Sequence, residues 1–152
     1  MPKASVKRLI ECKKKDLINL VLDIEKYPKF VPFCYDAKIY DNKDEGNLKK
    51  IIADLTIGKG PFKDTYKSDV VYNKTEDSIF VKNIEGPLNY LSNNWTFSDK
   101  QNGITEVTFD IDFEIKNKFL NSLMIVSFQF GLEKIADAFQ KRAEELFSNP
   151  EN

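Results

Sequence analysis

The chain has 152 residues, of which 41% are apolar and 31% charged, a length and balance that suit a folded domain with a real core rather than a disordered chain. Net charge is −1 and Arg8 and Arg142 are the only arginines, which disfavours nucleic acid as a partner. Histidine is absent, which excludes serine–histidine and cysteine–histidine catalysis within the chain and removes the commonest metal ligand.

The N-terminus leads straight into strand-like sequence at 5–11, without the charged and apolar segments of a secretory leader. No stretch reaches the ~18 apolar residues of a membrane span, so a cytoplasmic location is expected. A short helix follows, from about Lys14 to Glu25, with Leu17, Leu20, Val21 and Ile24 on one face. Lys13, Lys14 and Lys15 oppose the helix dipole at its start. The helix must stop before Pro28, and Pro28 and Pro32 leave room for no more than a brief helical turn between them.

Strand-length segments then run at about 35–41, 48–58, 62–73, 78–85, 93–99 and 104–116, separated by Asn-, Gly- and Pro-rich turns. The last is the clearest. Thr105, Val107, Phe109, Ile111, Phe113 and Ile115 alternate with Glu106, Thr108, Asp110, Asp112 and Glu114, as in a sheet with one dry and one wet side. A long helix, Lys118 to Phe147, closes the chain. Its second half carries one stripe, Leu132, Ile135, Phe139, Ala143 and Leu146, whereas its first half is apolar nearly all round and needs neighbours on most sides. No linker divides the sequence, so residues 1–152 are expected to form one domain. The order predicts an α+β helix-grip fold: a curved antiparallel sheet of about seven strands around a long C-terminal helix, with a space between them.

Twelve Phe and six Tyr could serve packing or wall an apolar pocket. Tyr27, Phe30, Val31 and Phe33 form either a greasy lip at the cavity mouth or a cap packed on the sheet. Trp95 and Phe97 are either core or a ring wall against a flat ligand. Phe62, Tyr66, Val70, Leu91, Phe109, Ile111, Phe113, Met124 and Phe128 complete the candidate lining. Asp64, Tyr66 and Ser68 could orient a carbonyl in the cavity, Tyr66 and Ser68 as donors. Asp110, Asp112 and Glu114 read as the wet side of a strand, and Lys13 to Lys15 and Lys49-Lys50 as solvated surface. Cys12 and Cys34 cannot supply a zinc site, and no metal or catalytic residue is expected.

Several segments also resemble one family. Tyr27-Pro28-Lys29-Phe30-Val31-Pro32-Phe33-Cys34 is similar to the YPxFLPWC-type signature of the coenzyme Q-binding, START-like family, within the polyketide cyclase/dehydrase and lipid transport superfamily. Residues 60–70 resemble its F-x-E-x-[FY]-x-S-x-V strand, residues 86–97 its GPFKxLxNxWxF stretch, and Phe139-Gln140-Lys141-Arg142-Ala143 its FxxRA ending. Phe33, Asp64 and Leu88 stand where the family usually has Trp, Glu and Phe. The resemblance implies a START/Bet v 1-like fold and a non-enzymatic carrier of ubiquinone or a related prenyl lipid that supports respiration. It implies no required cofactor, and transient contact with the inner face of the cytoplasmic membrane. The same family includes ribosome-association toxins, which leaves the ribosome as an alternative partner and interference with subunit association as an alternative function. A small cyclase or dehydratase-like enzyme using Asp54, Asp64 or Glu85 is a further alternative.

Overall fold

A computed structural model describes residues 3–59 and 61–147, with the side chains of 59, 62, 120 and 123–127 outside that description. Seven strands form one antiparallel sheet: β1 (Lys3–Ile10), β2 (Cys34–Glu45), β3 (Leu48–Lys59), β4 (Phe62–Asn73), β5 (Ser78–Glu85), β6 (Leu88–Asp99) and β7 (Thr105–Ile115), in the order β1-β7-β6-β5-β4-β3-β2. α1 (Lys14–Leu22) and a 3₁₀ segment (Ile24–Lys29) join the two edge strands, and α2 (Lys118–Phe147) ends the fold. α2 lies along β1 and β7, α1 against β6, and the 3₁₀ segment against β2. The helix-grip architecture expected from the element order is therefore present.

Register follows the period-2 pattern. Val6 pairs with Phe109, Phe109 with Trp95, Trp95 with Ile79, and Ile79 with Tyr72, so one row of inward side chains crosses five strands. Ile51 faces Val70 and Val70 faces Val81 in a second row. Irregularities at Cys34–Asp36, Ile39–Asp41, Lys67–Ser68 and Leu88–Tyr90 bend the strands where they occur. They give the sheet its curvature.

α1 is shorter than the sequence suggests. It ends at Leu22, and the chain tightens into a 3₁₀ segment that contains Pro28. The lysine run at its start is accommodated by tertiary charge. Lys14 bonds Asp77 at 2.7 Å and lies 3.2 Å from Asp99, while Asp16 sits in the first turn. In α2 the inward stripe is Leu132, Phe139 and Ala143, with Ile135 half-buried, but Leu146 is 50% exposed. From Ala143 the next inward position is four residues on, and Phe147 packs on the core instead. Phe119 and Phe130, in the half of α2 expected to be covered on most sides, are 68% and 64% exposed.

Candidate ligand-binding site

The concave face has two unlike halves. One is filled. Trp95 lies 4.3 Å from Phe109 between ring centroids and meets the edge of Phe139 at 5.2 Å. Phe139 in turn contacts Tyr27 at 5.4 Å and Phe30 at 5.1 Å, and Phe97 stacks parallel to Trp95. The enclosed space beside them, bounded by Val6, Ile10, Leu17, Val107, Phe109 and Phe139 among others, measures about 20 Å³. That is room for about one water in a lining with almost nothing to hold one, far too little for an organic ligand. Trp95, Phe97, Phe109, Tyr27 and Phe30 thus form a solid aromatic core at this end.

The two distant motifs meet here. The Arg142 guanidinium sits 5.6 Å from the Phe30 ring centroid, and Ala143 is fully buried beside Phe139 in the core. Tyr27 is pinned by donating its hydroxyl to the Val21 carbonyl. Burial, with smaller contributions from Tyr66, Cys34 and Asp23, holds its phenol well above the usual range.

The other half is partly uncovered. Leu91, Phe113 and Val70 are buried, and Phe113 meets Phe128 at 4.8 Å. Tyr66, Ile111, Ile115, Phe128, Val31 and Phe33 are apolar or aromatic yet only half-buried. Phe33 stands out, with φ +70, a left-handed backbone rarely adopted by a bulky residue. Its carbonyl accepts the Gly58 N–H at 3.0 Å, and its ring edge would lie 3.8 Å from a side chain at Gly131. The Phe33 ring thus lies beside α2 at this position, with room for a small side chain between them. Phe62 and Met124, both expected in the lining, have side chains outside the described residues.

Apart from Arg142, whose guanidinium lies over Phe30 with its Nε buried and unpartnered among the described residues, and the exposed Asp64, polar groups on the concave face are neutral and mostly committed. Ser68, fully buried, donates to the Ala53 carbonyl at 3.1 Å. Asn93 accepts the Trp95 indole N–H at 3.1 Å and donates to the Asp110 carbonyl at 2.9 Å. Asn83 donates to the Leu88 carbonyl at 3.3 Å. Asp64 is exposed and accepts its neighbour Thr65 N–H, so it does not join Tyr66 and Ser68 around an interior carbonyl. Asp54 is turned to the convex face, 3.2 Å from Lys67, and Glu85 is exposed. On β7, Asp112 accepts the Tyr90 hydroxyl and Glu114 the Asn89 amide, in keeping with a wet strand face.

Sequence reasoning did not single out Asn93 for the site, and it placed Phe139 on the helix stripe without joining it to Trp95 and Phe30. Asn93 carried a usable signal, since it shares the inward parity of Leu91, Trp95 and Phe97. Among the described residues, no group of three or more potential ligands is placed to hold a metal ion, and no helix is long and apolar enough to cross a membrane.

A fold that grips a helix against a curved sheet, with largely apolar inner walls, defines a lipid-transport-type scaffold. The chain belongs to the polyketide cyclase/dehydrase and lipid transport family, whose model matches residues 13–140. It is 33% identical over 142 residues to the ribosome association toxin RatA of Rickettsia prowazekii, covering 91% of this chain and 94% of the relative. It is 29% identical over 135 residues to the mitochondrial coenzyme Q-binding protein COQ10 of Dictyostelium discoideum, covering 86% of this chain and 63% of the relative. A START superfamily protein from Mycobacterium smegmatis superposes with a TM-score of 0.80 at 19% identity, over 95% of this chain and 98% of that one, a likeness of fold. The expected family and helix-grip fold are both found.

Proposed function

We propose that the chain binds ubiquinone or a related prenyl lipid between the concave sheet and α2, as a carrier rather than a catalyst. The observation that supports this most is the contrast within the concave face. Aromatic packing closes the Trp95 end, while Tyr66, Ile111, Ile115, Phe128, Val31 and Phe33 leave apolar surface half-covered at the other. A hydrocarbon tail gains about 0.8 kcal/mol per CH₂ buried against such a surface and needs no charged contact. Asp54 is turned to the convex face and Asp64 and Glu85 are exposed to solvent, which favours carriage over acid–base chemistry, because a general acid or base must reach the substrate. The likeness to a protein named for coenzyme Q binding agrees.

Organic extraction of purified protein followed by mass spectrometry tests the reading. Recovered quinone supports it. Protein that is empty and also ignores added quinone overturns it.

The stronger match to a ribosome association toxin favours a second reading, interference with ribosomal subunit association. Salt-sensitive co-sedimentation with isolated subunits supports that reading, and no co-sedimentation at low salt removes it.

A further inference from the structure

Three hydroxyls and a thiol point into the same region of the concave face, and they are not equivalent. Tyr27 donates to the Val21 carbonyl and Ser68 to the Ala53 carbonyl. The Cys34 thiol lies 3.7 Å from the Asp36 carbonyl. Tyr66, opposite Leu55 on β4, makes no hydrogen bond among the described residues, although it packs against the core. Among the described residues Arg142 Nε is the one buried side-chain nitrogen or oxygen without a partner, so the Tyr66 hydroxyl reaches water and can exchange that water for an acceptor on an entering molecule.

Two further observations bear on that exchange. The backbone at Gly86 presses on Tyr66, where a Cβ would stand 2.7 Å from Tyr66 Cβ and 2.8 Å from its Cα. The base of the side chain is therefore held fixed, and the hydroxyl is presented from a rigid mount. Tyr66 is also only half-buried, so an entering molecule can reach it.

We infer that Tyr66 is the residue that selects the head of the bound molecule, donating its hydroxyl to a carbonyl oxygen of an uncharged group such as a quinone, ketone or ester. This rests on the carrier reading and adds to it the chemistry of the head group. The hydrogen-bonding groups around Tyr66 carry no fixed charge: Tyr27 and Ser68 are hydroxyls, and burial raises the Cys34 thiol to about 11, so it stays protonated at neutral pH. A carboxylate or ammonium head would lose its water there without a counter-charge. A neutral acceptor loses little and takes the place of water on the phenol. Burial first, then the nearby Cys34, raises the Tyr66 pKa, so the donor keeps its proton over the physiological range.

The test compares wild type with Tyr66→Phe, which keeps the ring and removes the hydroxyl. Calorimetric titration with a decyl-substituted benzoquinone and with decylbenzene separates head from tail. The variant should bind the quinone roughly 3- to 10-fold more weakly and decylbenzene unchanged. Its thermal midpoint without ligand should not fall, because the substitution removes no hydrogen bond within the protein. Equal affinities of wild type and Tyr66→Phe for the quinone, or an equal loss for both probes, overturns the inference and leaves the carrier reading standing. Wild-type protein that takes up neither probe overturns the carrier reading itself.

Discussion

Gly86 and Tyr66 are in backbone contact across the β4–β5 irregularity. A methyl group at Gly86 would stand 2.7 Å from Tyr66 Cβ and 3.1 Å from the Thr65 carbonyl oxygen. Gly86 also has φ +135, which L side chains rarely adopt. Strain and overlap act together in Gly86→Ala, with backbone as the obstructing partner, so neither can be relieved by a rotamer change. The expected loss is about 2–5 kcal/mol of unfolding free energy. Urea denaturation measures it, and an unchanged midpoint would show that this crossing is not the rigid mount described above.

Asn93 joins Trp95 to β7. Its amide accepts the indole N–H and donates to the Asp110 carbonyl, so one side chain satisfies two buried groups. Asn93→Ala leaves both unpaired and should cost about 1–3 kcal/mol. The indole accounts for part of that cost. In a Trp95→Phe background, where the indole N–H is gone, the same Asn93→Ala change should be less damaging. A double-mutant cycle by chemical denaturation reads this directly, and strict additivity would count against the coupling.

Legibility of the fold depended on whether a strand had two different faces. β7 could be read residue by residue because Val107, Phe109 and Phe113 are buried and Asp110 is exposed. The far half of β2, from Asp41 to Glu45, is exposed throughout, so no alternation marks it. It belongs to the sheet because Asp44 and Glu45 pair with Lys49 and Leu48 across a turn at Gly46. β6 begins at Leu88 rather than near residue 93, since Gly86-Pro87 resembles a turn and the irregularity at Leu88–Tyr90 breaks the period. The site shows the same division. Tyr66 was reachable through local pattern and family likeness. The packing of Phe139 against Trp95 and Phe30 joins residues far apart in the chain, and no local pattern encodes it.

Phe33 offers a direct measure of backbone strain. At φ +70, alanine meets nearly the same steric penalty as phenylalanine and glycine meets none. Phe33→Ala and Phe33→Gly both remove the ring from Gly131, so their difference isolates the backbone term. Phe33→Gly should be more stable than Phe33→Ala by about 1 kcal/mol, against the usual order of the two residues. Thermal or urea unfolding of the pair decides it. If alanine is the more stable, the left-handed conformation at Phe33 is not maintained in solution.

The two thiols predict how the protein behaves in alkali. Burial, then the charges of Asp16 and Glu144, raises Cys12 from the usual 9.0 to about 11, and burial does the same for Cys34 against a smaller lowering by the Asp36 backbone. The folded state therefore binds more protons than the unfolded state between those values. Stability from this source is complete below pH 9 and is lost as pH rises towards 11. Tyr27 and Tyr66, also raised by burial from the usual 10.0, extend the decline to higher pH. Replacing both cysteines by alanine should flatten the first part of the fall. Reactivity gives an independent check. At pH 9 the native thiolate fraction is roughly fifty-fold below that of an unfolded thiol, so iodoacetamide should label the native protein far more slowly than protein in concentrated urea. Equal labelling rates would mean that Cys12 and Cys34 are open to solvent, and the packed end of the concave face could not then be as closed as its aromatic contacts require.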